Sequence, residues 1–177
     1  MPYATTHRIR RKGLPKRFSR IAGGIDGLSA EWDIKIGPDA PAAKVLVFRT
    51  RTHMRKFYRD VLPAYSGKAD NPEVALGKRT LGCVCTLVVT HMRPDDPEDV
   101  FTDEIDQNYF CLVLLAEGFL TPEVLCHEAV HVGFAWDRRT RGESFLSDPH
   151  DGEENVCYPA GRFYAAVREQ IAQEGLS

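Results

Sequence analysis

Residues 121–136 read Thr121-Pro122-Glu123-Val124-Leu125-Cys126-His127-Glu128-Ala129-Val130-His131-Val132-Gly133-Phe134-Ala135-Trp136. From Val124 to Trp136, everything but His127, Glu128 and His131 is apolar or small. A helix apolar on every side is expected to be buried, and polar groups buried on it need partners. Thr121 is the expected N-cap and Pro122 suits the first helical position. Gly142 is placed to close the helix or the turn after it. Residues four apart stack on one helix face, so His127 and His131 point at the same place. A divalent ion, most often zinc, satisfies two such imidazoles. Glu128 is turned off the ligand axis, where it can act as general base on a water beside the ion. The competing reading of the same spacing is two core histidines in an apolar helix.

The H-E-x-x-H pattern at His127–His131, with its flanks over residues 121–161, resembles the zincin metallopeptidases. That resemblance implies a third ligand downstream, a Glu on a later helix in the gluzincin branch. Glu153-Glu154-Asn155-Val156-Cys157-Tyr158-Pro159-Ala160-Gly161 is similar to the second gluzincin helix. By that match Glu154 is the ligand, ahead of Glu153, and Cys157 and Gly161 are the small residues that let this helix approach the first. Pro159 departs from the pattern and predicts a kinked or short helix. Two other residues compete as third ligand. Asp137 lies six residues beyond His131, as in the metzincin-type pattern, but the glycine is Gly133 where that pattern needs it at Phe134's position. His150 is placed either to ligate or to hydrogen-bond a transition-state oxyanion, a role also open to Tyr158 and Arg162.

The rest of the 177 residues predicts one α+β domain. Glu31–Ile36 alternates as a half-buried strand, and Lys44–Thr50 is β-branched and apolar. Arg51–Tyr65 has apolar residues at helical spacing and should end near Pro63, with His53 on its surface. A polar loop is expected over Ser66–Arg79, then a long strand over Leu81–Met92 with His91 near its end. Arg93–Asp106, acidic and proline-containing, reads as a surface loop or short helix, and Tyr109–Leu115 as another strand. Phe163–Gln173 continues or follows the Glu154 helix. This order matches what the resemblance implies: a minimal zincin-like domain with a small mixed or antiparallel twisted sheet, a backing helix, the H-E-x-x-H helix and a second ligand-bearing helix.

Charge divides the chain at residue 25. Residues 1–25 carry Arg8, Arg10, Arg11, Lys12, Lys16, Arg17 and Arg20 and no acid, a formal +7. Residues 26–177, the expected metal-binding domain, hold the other 16 basic residues against 25 acidic ones, a formal −9. A basic arm on an acidic body is an interaction signal, directed at nucleic acid, an acidic protein surface or a neighbouring copy. No recognition motif accompanies the charges. The five cysteines show no framework spacing, and no apolar run reaches the roughly 18 residues of a membrane span. The basic N-terminus lacks the apolar core of a signal peptide, so a cytoplasmic protein is expected, with association with a virion as a further expectation. Cys83 and Cys85, at i and i+2 on an expected strand, face one side together, as packed thiols or as a metal-binding pair.

The resemblance implies a zinc-dependent metallopeptidase-like hydrolase acting on a peptide or protein: His127, His131 and Glu154 on Zn2+, with Glu128 as the base. The alternative is a catalytically silent zincin-fold module, for example in a phage particle, whose basic arm binds a protein partner or nucleic acid.

Overall fold

The computed structural model of the protein describes residues 25–37, 40–61, 80–86, 88–93, 96–105, 108–141 and 149–176. The cations of the basic arm, the loop expected over Ser66–Arg79 and Gly142 lie outside them.

Strand β1 (Leu28–Lys35) pairs antiparallel with β2 (Ala42–Phe48). β2 pairs in parallel with β6 (Tyr109–Ala116), and β3 (Gly82–Thr86) pairs antiparallel with β6 on the outer side. The result is a mixed four-stranded sheet in the order β1-β2-β6-β3, and the chain is α+β. β2 and β6 are buried along their whole length, as central strands are when both sheet faces are covered.

Period-two alternation sends each strand's side chains to two cores. On one face Ala43, Val45 and Val47 of β2 and Cys111, Val113 and Leu115 of β6 meet two long helices, α2 (Pro122–Arg141) and α3 (Pro149–Glu174). On the other face Leu46, Phe48, Leu112 and Leu114 pack with Met54 and Phe57. Met54 belongs to α1 (Arg51–Lys56), capped by the Thr50 side chain, which accepts from the His53 N–H; a π-helical turn, Phe57–Val61, follows.

The charged face of β1 is also used. Lys44 of β2 is buried, and its ammonium pairs with Glu31 and with Asp33 at 2.7 Å. Tyr109 donates to the other Asp33 oxygen. Burial alone would lower the Lys44 pKa, but the two carboxylates outweigh it and raise it.

The segment expected as one strand over Leu81–Met92 is two strands in different sheets. β3 belongs to the main sheet, whereas β4 (Val88–Arg93) pairs with β5 (Asp96–Ile105) in a separate two-stranded antiparallel ribbon. β5 also corrects the loop or short helix expected at Arg93–Asp106. Acids and a proline depress intrinsic strand preference, but a cross-strand partner decides the outcome.

Two expectations about the helices are corrected. α3 is not cut short at Pro159, which is buried; the helix continues to Glu174. Val156, Ala160, Phe163 and Val167 hold the helix to the core on both sides of the proline, and this packing outweighs one lost hydrogen bond. The close approach of α2 and α3 is also made elsewhere than expected. Cys157 is exposed and a Cβ on Gly161 would touch nothing. The contact is at Gly133, where any Cβ would run into the Val156 carbonyl oxygen.

Gly133→Ala therefore sets two effects against each other. Helix propensity favours alanine by about 1 kcal/mol, while overpacking a tight contact costs about 1–3 kcal/mol. Net destabilisation is expected, read as a lower urea midpoint, whereas Gly161→Ala should raise the midpoint.

Candidate functional site

Helix α2 starts as its sequence predicts. The Thr121 hydroxyl accepts from the Val124 N–H at 3.4 Å, and the Thr121 carbonyl takes the first helical bond from Leu125. Leu125, Ala129, Val132 and Ala135 then point into the core. The helix is not buried all round, as its apolar composition suggested. His127 and His131 are exposed, and between and beyond them Val130 and Phe134 are 42% and 38% exposed. These four occupy i, i+3, i+4 and i+7, one face that neither the sheet nor α3 covers.

On that face the two imidazoles converge. Nε2 of His127 and Nε2 of His131 are 3.2 Å apart, with the rings at 77° to each other. Two nitrogens bound at about 2.0–2.1 Å to one tetrahedral zinc stand about 3.3 Å apart. The observed spacing therefore fits two ligands of a single ion. Without an ion, the same distance permits one N–H···N hydrogen bond. The His131 pKa is lowered, first by burial and then by the neighbouring His127. Both effects favour the neutral ring that binds metal.

Glu128 is placed differently. It is 4% exposed and points between α2 and the sheet. Its carboxyl lies over Gly82 of β3, so close that a Cβ at Gly82 would be 2.8 Å from it. Burial pushes its pKa up to about 7. Among the described residues it has no hydrogen-bond partner. Together with His127, His131, Thr80, Gly82, Cys83 and Val84 it lines a cleft of about 190 Å³ between α2 and β3.

The other candidates lie elsewhere. Glu154 is exposed and lines a different cavity of about 300 Å³, with Ile36, Trp136, Tyr158 and Arg162. Arg162 donates to the Ile36 carbonyl, bracing the end of β1. Glu153 is exposed and is not part of the histidine cleft. Asp137 is buried, 1% exposed, and stands about 100° round the helix from the histidine pair. His150 falls in the first turn of α3 and His91 on β4, but both side chains lie outside the described residues. Among the described residues no third His, Cys, Asp or Glu joins the pair to form a metal-holding group. The histidine pair would thus supply two of the donors that a zinc ion takes.

Gly82 and Thr80 escaped the sequence reading. The available signal was a glycine inside a strand pattern, which marks a close approach; here what approaches is a carboxyl group.

The chain matches no protein-family model, no curated protein and no solved structure. Among the described residues no helix is long and apolar enough to cross a membrane.

The raised pKa of Glu128 has a direct consequence for the metal-free chain. Between the ordinary carboxyl value of 4.5 and about 7, the folded state holds a proton that the unfolded state has released. Stability from this group is complete below that window and is lost as pH rises through it. Urea midpoints of chelator-treated protein should fall across the window, and Glu128→Gln should remove that component of the fall.

Proposed function

We propose that this chain is a zinc-dependent, zincin-like hydrolase that cleaves a peptide bond. The observation that carries the reading is the convergence of the His127 and His131 Nε2 atoms, 3.2 Å apart, at the mouth of a cleft lined by the buried carboxyl of Glu128. His127 and His131 hold the ion. Only the resemblance to the gluzincin pattern points to Glu154 as third ligand, and Glu154 lines the other cavity. When bound, the ion supplies Lewis-acid polarisation of a carbonyl and acidifies a water. Glu128 takes the proton from the attacking water at its carboxylate oxygen and passes it to the leaving nitrogen. A carboxyl with a pKa near neutrality is matched to both transfers. The burial of Glu128 limits the access of bulk water to that proton. Among the described residues β3 is an edge strand of the main sheet, the position at which a sheet can take up an extended chain.

One observation favours the second reading, a catalytically silent module with a metal as staple. Among the described residues no third metal-capable side chain joins the histidine pair, and two histidines one turn apart suffice to anchor an ion that ties helix to partner. In that reading the basic arm makes the functional contact, with a protein or a nucleic acid.

Elemental analysis of protein purified without added zinc, joined to three variants, separates these readings. About one zinc per chain is expected, lost in both His127→Ala and His131→Ala. Glu128→Gln should keep the metal and lower cleavage of casein by roughly 100- to 10,000-fold. Metal-free wild type removes the metal proposal. Metal-loaded wild type that leaves casein and other unfolded proteins uncut supports the staple. Unchanged zinc in Glu154→Gln moves the third ligand away from Glu154.

A further inference from the structure

β3 has a second face with chemistry of its own. Gly82 and Val84 turn toward α2, so Cys83 and Cys85 turn toward the opposite core, where both pack half-buried with Tyr58. Their sulfurs are 3.6 Å apart. Two thiolates sharing one tetrahedral centre at about 2.3 Å stand about 3.8 Å apart. The pair is therefore preset to close on a single atom between them.

A disulfide is the poorer product here. Residues i and i+2 of an extended strand are about 6.6 Å apart at Cα, near the upper limit for a disulfide. Cys83 and Cys85 are also held in register opposite Leu114 and Leu112 of β6, so drawing them together would break ladder bonds. A zinc site would need further ligands, as it would at the histidine pair, and among the described residues no third His, Cys, Asp or Glu joins the two sulfurs. A centre satisfied by two cis sulfurs fits without backbone movement.

We propose that Cys83 and Cys85 form a dithiol site that captures a trivalent organoarsenical, or a thiophile of the same valence, across both sulfurs. With an arsenoxide the step balances without an oxidant. Two arsenic–sulfur bonds form, the arsenic–oxygen bonds break, and both thiol protons leave with that oxygen as water. The other cysteines provide internal controls. Cys126 and Cys157 are exposed but stand on different helices, and each offers one sulfur. Cys111 is buried, and burial pushes its thiol pKa up.

Full-length folded protein is treated with phenylarsine oxide, washed with excess mercaptoethanol and weighed by mass spectrometry. One adduct per chain is expected, released by dithiothreitol and mapped to the segment holding Cys83 and Cys85. The second sulfur acts at high effective concentration, so retention through the monothiol wash should exceed that of Cys83→Ser or Cys85→Ser by about 100-fold. The Cys126→Ser/Cys157→Ser variant should retain the adduct. Wild type that loses its adduct in the monothiol wash, or an adduct mapped to another cysteine, overturns the proposal. The mapping on wild type stands even where a serine variant fails to fold. The outcome is independent of the histidine site, whose failure would leave this adduct unchanged.

Discussion

Helix α2 is held to its neighbours through two glycines, and the rest of the site follows from that. At Gly133 the absent side chain lets α2 meet the Val156 backbone of α3; at Gly82 it leaves room for the Glu128 carboxyl against β3. Once those two contacts and the apolar row Leu125, Ala129, Val132 and Ala135 are satisfied, the rotation of the helix is determined. The remaining arc carries His127, Val130, His131 and Phe134. The histidines are thus exposed as a result of packing elsewhere on the helix. The close-packed interior transmits the constraint, because displacement at either glycine would turn the whole helix.

The two sheet faces are built on different terms. Under α2 and α3 the strands contribute an apolar cluster, with the Glu128 carboxyl buried at its β3 edge. The other face includes Lys44 with its two carboxylates beside the apolar cluster of Leu46, Phe48 and Met54. A buried ammonium is tolerated only with partners, and Glu31 and Asp33, on the strand bonded to β2, are those partners. This arrangement stabilises little by itself. It does specify register: a shift of one residue between β1 and β2 would send Lys44 and its carboxylates to opposite faces.

Much of this was legible in the sequence. The alternation of Trp32, Ile34 and Ile36 placed β1, and the runs at Lys44–Thr50 and Tyr109–Leu115 placed β2 and β6. Thr121 and Pro122 located the start of α2, and the i, i+4 spacing located the histidine pair. These signals are local. What stayed hidden was set by partners distant in sequence. β5 is strand because β4 lies beside it, despite its own acids and proline. α3 passes through Pro159 because residues on both sides are packed. The open face of α2 could not be read from composition, since Val130 and Phe134 are as apolar as Val132 and Ala135, and only the position of the sheet separates them. Gly82 is the same case: its importance depends on Glu128, 46 positions later in the chain.

The weight between the two functional readings turns on Glu128. A metal staple needs ligands, and His127 and His131 lie on the exposed arc where they cost little. It has no use for a carboxyl between them. Glu128 is nonetheless buried, with no hydrogen-bond partner among the described residues, an arrangement that costs about 1–3 kcal/mol for an unsatisfied polar group. Alanine or leucine at that position would pack against Gly82 and Val84 without the cost. Such an uncompensated group marks a place where stability has been given up for something else. The cleft beside the histidines is where a proton acceptor with a near-neutral pKa has work to do. That single energetic misfit favours hydrolysis over the staple.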